Sequence, residues 1–148
     1  MGCDLAQYLG IPFRDHGRDR DGCDCWGLVR LVYQEQLGVT MPDLGDAYSD
    51  AYARGEVDRL VARSARQDWT VDVTNLPRRE LDVLVFLRAG VEAHVGLWAA
   101  PGVMLHVTDG MCAAFERYDT AKWSRRFSRA LRPVAPQSMT SDNRQAPA

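Results

Sequence analysis

The hydrophobic period of this chain changes once, and that change limits the fold more than any other feature. Between Cys25 and Leu37, Cys25, Leu28, Val29 and Val32 recur at i, i+3, i+4 and i+7, the spacing of a one-sided helix. From about residue 69 the character shifts. LDVLVFL (81–87), HVGLWAA (94–100), VMLHVTD (103–109) and MCAAFERY (111–118) are rich in β-branched or aromatic residues and are separated by RAG, PG and DG turn signals. A further strand at Phe127 to Arg132 precedes Pro133. Helices first and an antiparallel sheet afterwards define an α+β fold. The 148 residues favour one domain with one core.

The helix is punctuated at both ends. Asp24 suits its N-cap, and Gly38 suits the position after its C-terminus. Pro42 prevents early resumption. Upstream, Asp4 to Leu9 reads as a short helix that stops at Gly10, and GIPFRDHGRDRDGCD (10–24) as a loop. Residues 49–66 form a second amphipathic pattern, with Tyr52, Val57, Leu60 and Val61 on its buried side. The domain is expected to span 1–133. Residues 134–148, rich in Ser, Gln, Asn, Pro and Ala, read as a flexible tail or docking segment.

Charge and composition exclude several roles. A net charge of −2 gives no reason to expect nucleic acid as a partner. The longest pure apolar run, Val83 to Leu87, is far short of the ~18 residues of a membrane helix, so no membrane insertion is expected. MGCDLAQYLG lacks a basic segment followed by an apolar one, so no secretory signal is visible. Ala6 stands where a myristoylation motif wants Ser or Thr. The four cysteines Cys3, Cys23, Cys25 and Cys112 read as free thiols. A zinc site using His16 is poorly supported, because Cys-x-Cys is the wrong spacing and a second close pair is missing; no metal or cofactor is expected.

Cys25 follows the N-cap directly. The positive end of the helix dipole and the unpaired N–H groups there favour thiolate over thiol. Cys23, in the loop, lacks that benefit. Cys25 is therefore the candidate nucleophile, its alternative being a small buried hydrophobe. A thiol nucleophile needs a base. Of the three histidines, His16 reads as a solvated loop residue. His94 opens one strand and His106 sits late in the next, with the turn signal AAPG between them. The two rings should lie at the same end of a strand pair. Register sharpens this: 94 + 106 is even, whereas a two-residue Pro101–Gly102 turn gives an odd sum. Both rings share a face only if the turn is odd in length or carries a bulge.

These residues resemble the NlpC/P60 cysteine peptidases. DCWGLVRLVY is similar to the family's Asp-Cys-Ser-Gly-Leu-Val motif, and GIPFRDHGRDRDGCD to its Gly-x-Pro-Tyr-x-x-Gly-Gly lead-in. RRELDVLVF resembles its Pro-Gly-Asp-Leu-Val-Phe-Phe strand, HVGLWAAPGVMLHV its His-Val-Gly-Ile-Tyr…Ile-His-Ala segment, and RALRP its last strand. The resemblance covers roughly residues 7–133, in the family's order. GRDRDGCDCWGLVRLVY resembles most the branch found in the tails of phages and phage-like gene-transfer particles.

The resemblance implies a papain-like α+β fold, N-terminal helices packed on a C-terminal antiparallel sheet. It implies Cys25 as nucleophile, His94 as base and later acid, and His106 as the group orienting His94. Asp24, Trp26 and Phe13 would lie at the oxyanion site or substrate pocket. The implied substrate is the peptide stem of peptidoglycan. The implied partners are tail-hub or baseplate proteins, with synthesis in the cytoplasm and action at the cell wall from a tail tip. Two departures stand out. Trp26 replaces Ser and would reshape the mouth of the site. Phe13 replaces a Tyr whose hydroxyl can donate to an oxyanion, a loss worth on the order of 10²–10³ in rate. Three alternatives stay open: a structural tail-tip protein with little activity, an amidase or acyltransferase of the same thiol chemistry, and a Cys23–Cys25 redox protein. The basic stretch Lys122, Arg125, Arg126, Arg129 and Arg132 reads as a solvated strand edge, its alternative being an anion-facing surface.

Overall fold

A computed structural model describes residues 2–41 and 70–133. The second amphipathic pattern (49–66) and the tail (134–148) lie outside the described residues.

The chain enters through a 3₁₀ turn, Leu5–Tyr8, that ends at Gly10 with φ +91°. The loop expected over 10–24 carries a two-rung antiparallel hairpin, β1 (Arg18–Asp19) and β2 (Gly22–Cys23). Helix α1 runs Cys25–Leu37, with both ends where its caps predict. Asp24 accepts a hydrogen bond from the Gly27 N–H at 2.7 Å. Gly38 adopts the left-handed conformation, φ +67°.

Strands β3 (Thr70–Asp72), β4 (Val83–Arg88), β5 (Val91–Ala100), β6 (Val103–His106), β7 (Ala114–Arg117) and β8 (Phe127–Pro133) form one antiparallel sheet in the order β3-β8-β4-β5-β6-β7. A short helix α2, Ala121–Ser124, precedes β8. Neither β3 nor α2 is evident in the sequence, since three or four residues are too few to show a period. His94 does not open its strand; β5 begins three residues earlier, at Val91.

The apolar run Val83–Phe86 has alternate residues in two clusters. Val83 and Val85, with Val95, Leu97 and Leu105, pack with Leu28, Val29 and Val32 of α1. Leu84 and Phe86, with Met104 and Ala130, pack with Trp123 of α2. A central strand covered on both faces needs apolar residues at every position, hence the unbroken run. The buried Asp82, just before β4, accepts from Arg132 of β8 at 2.7 and 2.8 Å and from the Arg79 N–H at 2.8 Å. Arg129 is likewise bonded to Glu92 of β5 at 2.7 Å. The basic stretch is therefore not a bare cationic surface; acidic partners distant in sequence meet two of its members.

Pro101 and Gly102 form the two-residue turn between β5 and β6, with Gly102 at φ +77°, the chemistry of a type II turn. Such turns splay twisted strands, and a bulge at Ala99 absorbs the mismatch: Trp98 pairs with Met104, but Ala100 pairs with Val103. The index sum moves from 203 to 202, and the even sum puts His94 and His106 on one face.

The start of α1 is pinned by close backbone packing. A Cβ on Gly27 would stand 2.0 Å from the Gly17 carbonyl oxygen. Backbone cannot yield as a side-chain tip can. Gly27→Ala is expected to destabilise the protein by about 2 kcal/mol or more and to lower its thermal midpoint; an unchanged midpoint would show that the hairpin does not rest on the helix.

Candidate active site

Three elements bring the predicted residues together: the N-terminus of α1, the middle of β5 and the end of β6. Cys25 is half-buried at the first helical position. The backbone N–H groups of Val95 and Trp26 lie near enough to its sulfur to favour the ionised form, so the thiol sits close to β5 and to the residue that follows His94. Cys25 and His94 line one small cavity with Phe13, Arg88, Ala93, Val107, Thr108 and Asp109. Its free space, about 20 Å³, holds about one water molecule. No hydrogen bond joins the Cys25 sulfur to the His94 ring.

The two imidazoles do meet. His94 Nε2 lies 2.9 Å from His106 Nδ1. Continuing the β5–β6 register, the residue opposite His106 is Gly96, not His94. The ring of His106 must cross a diagonal, and a side chain at Gly96 would stand 3.3 Å from the His106 Cβ and 2.8 Å from the Met104 sulfur. The glycine of HVG is there for that clearance.

The network extends to a residue that the sequence reading missed. His106 Nε2 lies 2.7 Å from Glu116 Oε1, and the indole N–H of Trp123 donates to Glu116 Oε2 at 2.8 Å. His94, His106 and Glu116 thus form a polar diagonal across β5, β6 and β7. Trp123 covers it, with ring centroids 5.5 Å from His94 and 5.3 Å from His106. Seven residues separate β6 from β7, so the sequence carries no register that would have pointed to Glu116.

Asp24 and Trp26 do other work than the resemblance implies. Asp24 is buried; besides capping Gly27, it accepts from Arg18 Nη1 at 2.9 Å and from the His16 N–H at 3.1 Å. It aims the helix start without lining the cavity. Trp26 packs into the core under α1 and does not line the cavity either. Phe13 does line it.

The expected thiolate is reversed by tertiary burial. Desolvation first, and the Asp24 carboxylate second, push the Cys25 thiol up to about 12, against the Val95 and Trp26 N–H groups and the Arg88 charge. Burial first, then His106, Arg88 and Arg126, hold His94 well below 6.5. Burial also lowers His106, outweighing Glu116, which pulls the other way. Burial alone would raise Glu116, but the hydrogen bonds from Trp123 and His106 win and keep it a carboxylate. The resting centre is therefore a neutral thiol beside neutral imidazoles.

Both histidines bind protons more weakly folded than unfolded. Their contribution is full above the unfolded value near 6.5 and is lost as pH falls below it. The urea midpoint is expected to fall between pH 7 and pH 5, above the range where the carboxylates titrate. A midpoint that rises toward pH 5 would contradict the buried neutral pair.

Comparison with known proteins places the chain among relatives of the same fold. The murein DD-endopeptidase MepS/murein LD-carboxypeptidase of Escherichia coli K12 is 24% identical over 130 residues, 88% of this chain and 60% of that protein. The chain thus spans about 60% of the length of that curated relative. The NlpC/p60 domain of the peptidoglycan hydrolase SagA superposes with a TM-score of 0.58 at 20% identity, covering 86% of this chain and 91% of that one. An NlpC/P60 protein from Bacillus cereus ATCC 10987 also gives 0.58, at 21% identity, over 84% of this chain and 36% of its own. These likenesses support the papain-like α+β fold. The model of the NlpC/P60 family matches residues 10–132, the span that holds Cys25, His94 and His106, and the chain belongs to that family.

Proposed function

We propose that this protein is a cysteine peptidase acting on the peptide stems of bacterial peptidoglycan. The observation that carries the proposal is the shared cavity. A thiol at a helix N-terminus and an imidazole held by a second imidazole line the same small space. The murein enzyme and the peptidoglycan hydrolase among its relatives support the substrate class.

In this reading the Cys25 thiol attacks the scissile carbonyl as His94 Nδ1 takes its proton, because no thiolate is stored beforehand. Negative charge develops on the carbonyl oxygen. Asp24 already occupies the N–H groups of Gly27 and Leu28, through its carboxylate and carbonyl respectively, which leaves the Cys25 N–H to meet that charge. His94 then protonates the leaving amine, and an acyl-thioester remains. Water, losing its proton to His94, cleaves the thioester and returns the thiol. His106 holds the ring throughout. No metal enters these steps.

The site within a phage-like tail tip, assembled in the cytoplasm and delivered to the wall by the particle, is part of the same proposal. Its support is the resemblance of GRDRDGCDCWGLVRLVY to that branch. Co-purification of the chain with tail-hub proteins would bear it out; its absence from particles would remove it.

Zymography on purified peptidoglycan tests the chemistry. Wild type should clear the substrate and Cys25→Ala should not; equal clearing by both ends the catalytic account. Mass spectrometry of the released fragments separates shortened stems, an endopeptidase, from free stems with intact glycan, an amidase.

A second reading, a fold retained with weak activity, draws on the small volume of the cavity and on Phe13, which cannot donate to an oxyanion. Phe13→Tyr places a hydroxyl in that lining and is expected to raise kcat by up to about 10²-fold. A rate unchanged from wild type would show that this position does not face the developing charge.

A further inference from the structure

The two-histidine pair is directional, and nothing in the pair itself sets the direction. A neutral imidazole carries its proton on one nitrogen only. If His106 carries it on Nδ1, it donates to His94 Nε2. His94 then holds its own proton on Nδ1, and no lone pair is left to receive the thiol proton. If His106 carries it on Nε2, its bare Nδ1 accepts from His94 Nε2–H, and His94 Nδ1 is a base. The same heavy-atom positions describe an active and an inactive centre.

We propose that Glu116, braced by Trp123, is a positioning residue that fixes the tautomer of His106 and, through it, that of His94. The inference rests on the peptidase reading for its catalytic meaning, and for the tautomer on the contact geometry of a His106 that burial keeps neutral. A carboxylate can only accept. Oε1 at 2.7 Å from His106 Nε2 therefore requires a proton on that nitrogen. His106 Nδ1 is then bare, and the 2.9 Å contact requires His94 to donate from Nε2. The proton order of both rings is written from a third strand, two residues away from the chemistry.

Trp123 makes the choice of a carboxylate binding. Its indole N–H is a donor only, and it points at Oε2 from 2.8 Å. Glu116 thus faces a donor on each oxygen. A glutamine offers one oxygen and one NH₂. With its oxygen toward His106, its NH₂ would face the indole N–H, donor against donor. With its oxygen toward Trp123, its NH₂ donates to His106 Nε2 and forces the proton to Nδ1. His94 is then switched to the tautomer that cannot act as base. The conservative change is disruptive only because Trp123 removes its harmless orientation. Trp123 is itself buried, with its ring edge-on to Phe86 at 5.1 Å, so it does not swing away.

The test combines ring-nitrogen NMR with kinetics on the full chain. Wild type should show Nε2–H on both His94 and His106. Glu116→Gln should move both protons to Nδ1 and lower kcat by roughly 10²-fold, with KM little changed because Glu116 does not touch substrate. Removing the competing donor should reverse this: Glu116→Gln combined with Trp123→Phe frees the amide oxygen to face His106. The double variant should recover the Nε2–H signals and a higher kcat than Glu116→Gln alone, although it has lost core packing. A purely structural role for Glu116 predicts the opposite order, the double variant being worse. Unchanged ring-nitrogen signals in Glu116→Gln, or no recovery in the double variant, would overturn the proposal. If wild type cleaves no peptidoglycan, the peptidase reading fails while the NMR signals still decide the tautomer question.

Discussion

The buried carboxylate of Asp24 is the interaction on which the rest of this molecule depends. It ties together three segments, the helix start, the small hairpin and the turn at His16. Its cap on Gly27 starts α1, its bond to Arg18 holds the small hairpin, and its acceptance of the His16 N–H steadies a residue at φ +62°. A non-glycine residue in that region is strained and needs such an anchor. The carbonyl of Gly17 lies so close to Gly27 that hairpin and helix move as one body. Cys25, the next residue, inherits its position from that joint. The same carboxylate has an opposing electrostatic effect, since its charge disfavours ionisation of the thiol it places.

Positioning and activation are thus separate tasks here. The helix N-terminus and Asp24 place the sulfur, and the sheet supplies the imidazoles. Burial beneath Trp123 keeps the His94 ring neutral. A charge-neutral resting centre suits so small a cavity, because an ion pair with room for only about one water beside it is poorly solvated. The polar diagonal from His94 to Glu116 reaches out of this dry region: Glu116 is the half-exposed end at which a full charge is tolerated.

Much of this was legible in the chain. Asp24 and Gly38 announced both ends of α1, because capping is a local matter of one side chain or one left-handed residue. The apolar run at 83–87 announced a strand, though not that both of its faces are covered. The parity of 94 and 106 required a bulge or an odd turn, and the bulge at Ala99 is there. Other features were out of reach. β3 and α2 are too short to show a period. The ion pairs Asp82–Arg132 and Glu92–Arg129 join residues far apart in the chain, so the basic stretch looked unaccompanied.

What the sequence determined by itself was whatever depends on near neighbours: the helix and its caps, the strands and their turns, and the motifs that point to a cysteine and two histidines. Tertiary structure alone decided which groups share a space and what state they are in. Trp26 stands beside Cys25 in the chain yet turns into the core, while Glu116, ninety-one positions on, completes the histidine network. The protonation of Cys25 was decided the same way. A helix start favours a thiolate over the span of one turn, but burial between helix and sheet outweighs it, and burial is a property of the packed assembly that no local stretch of residues contains.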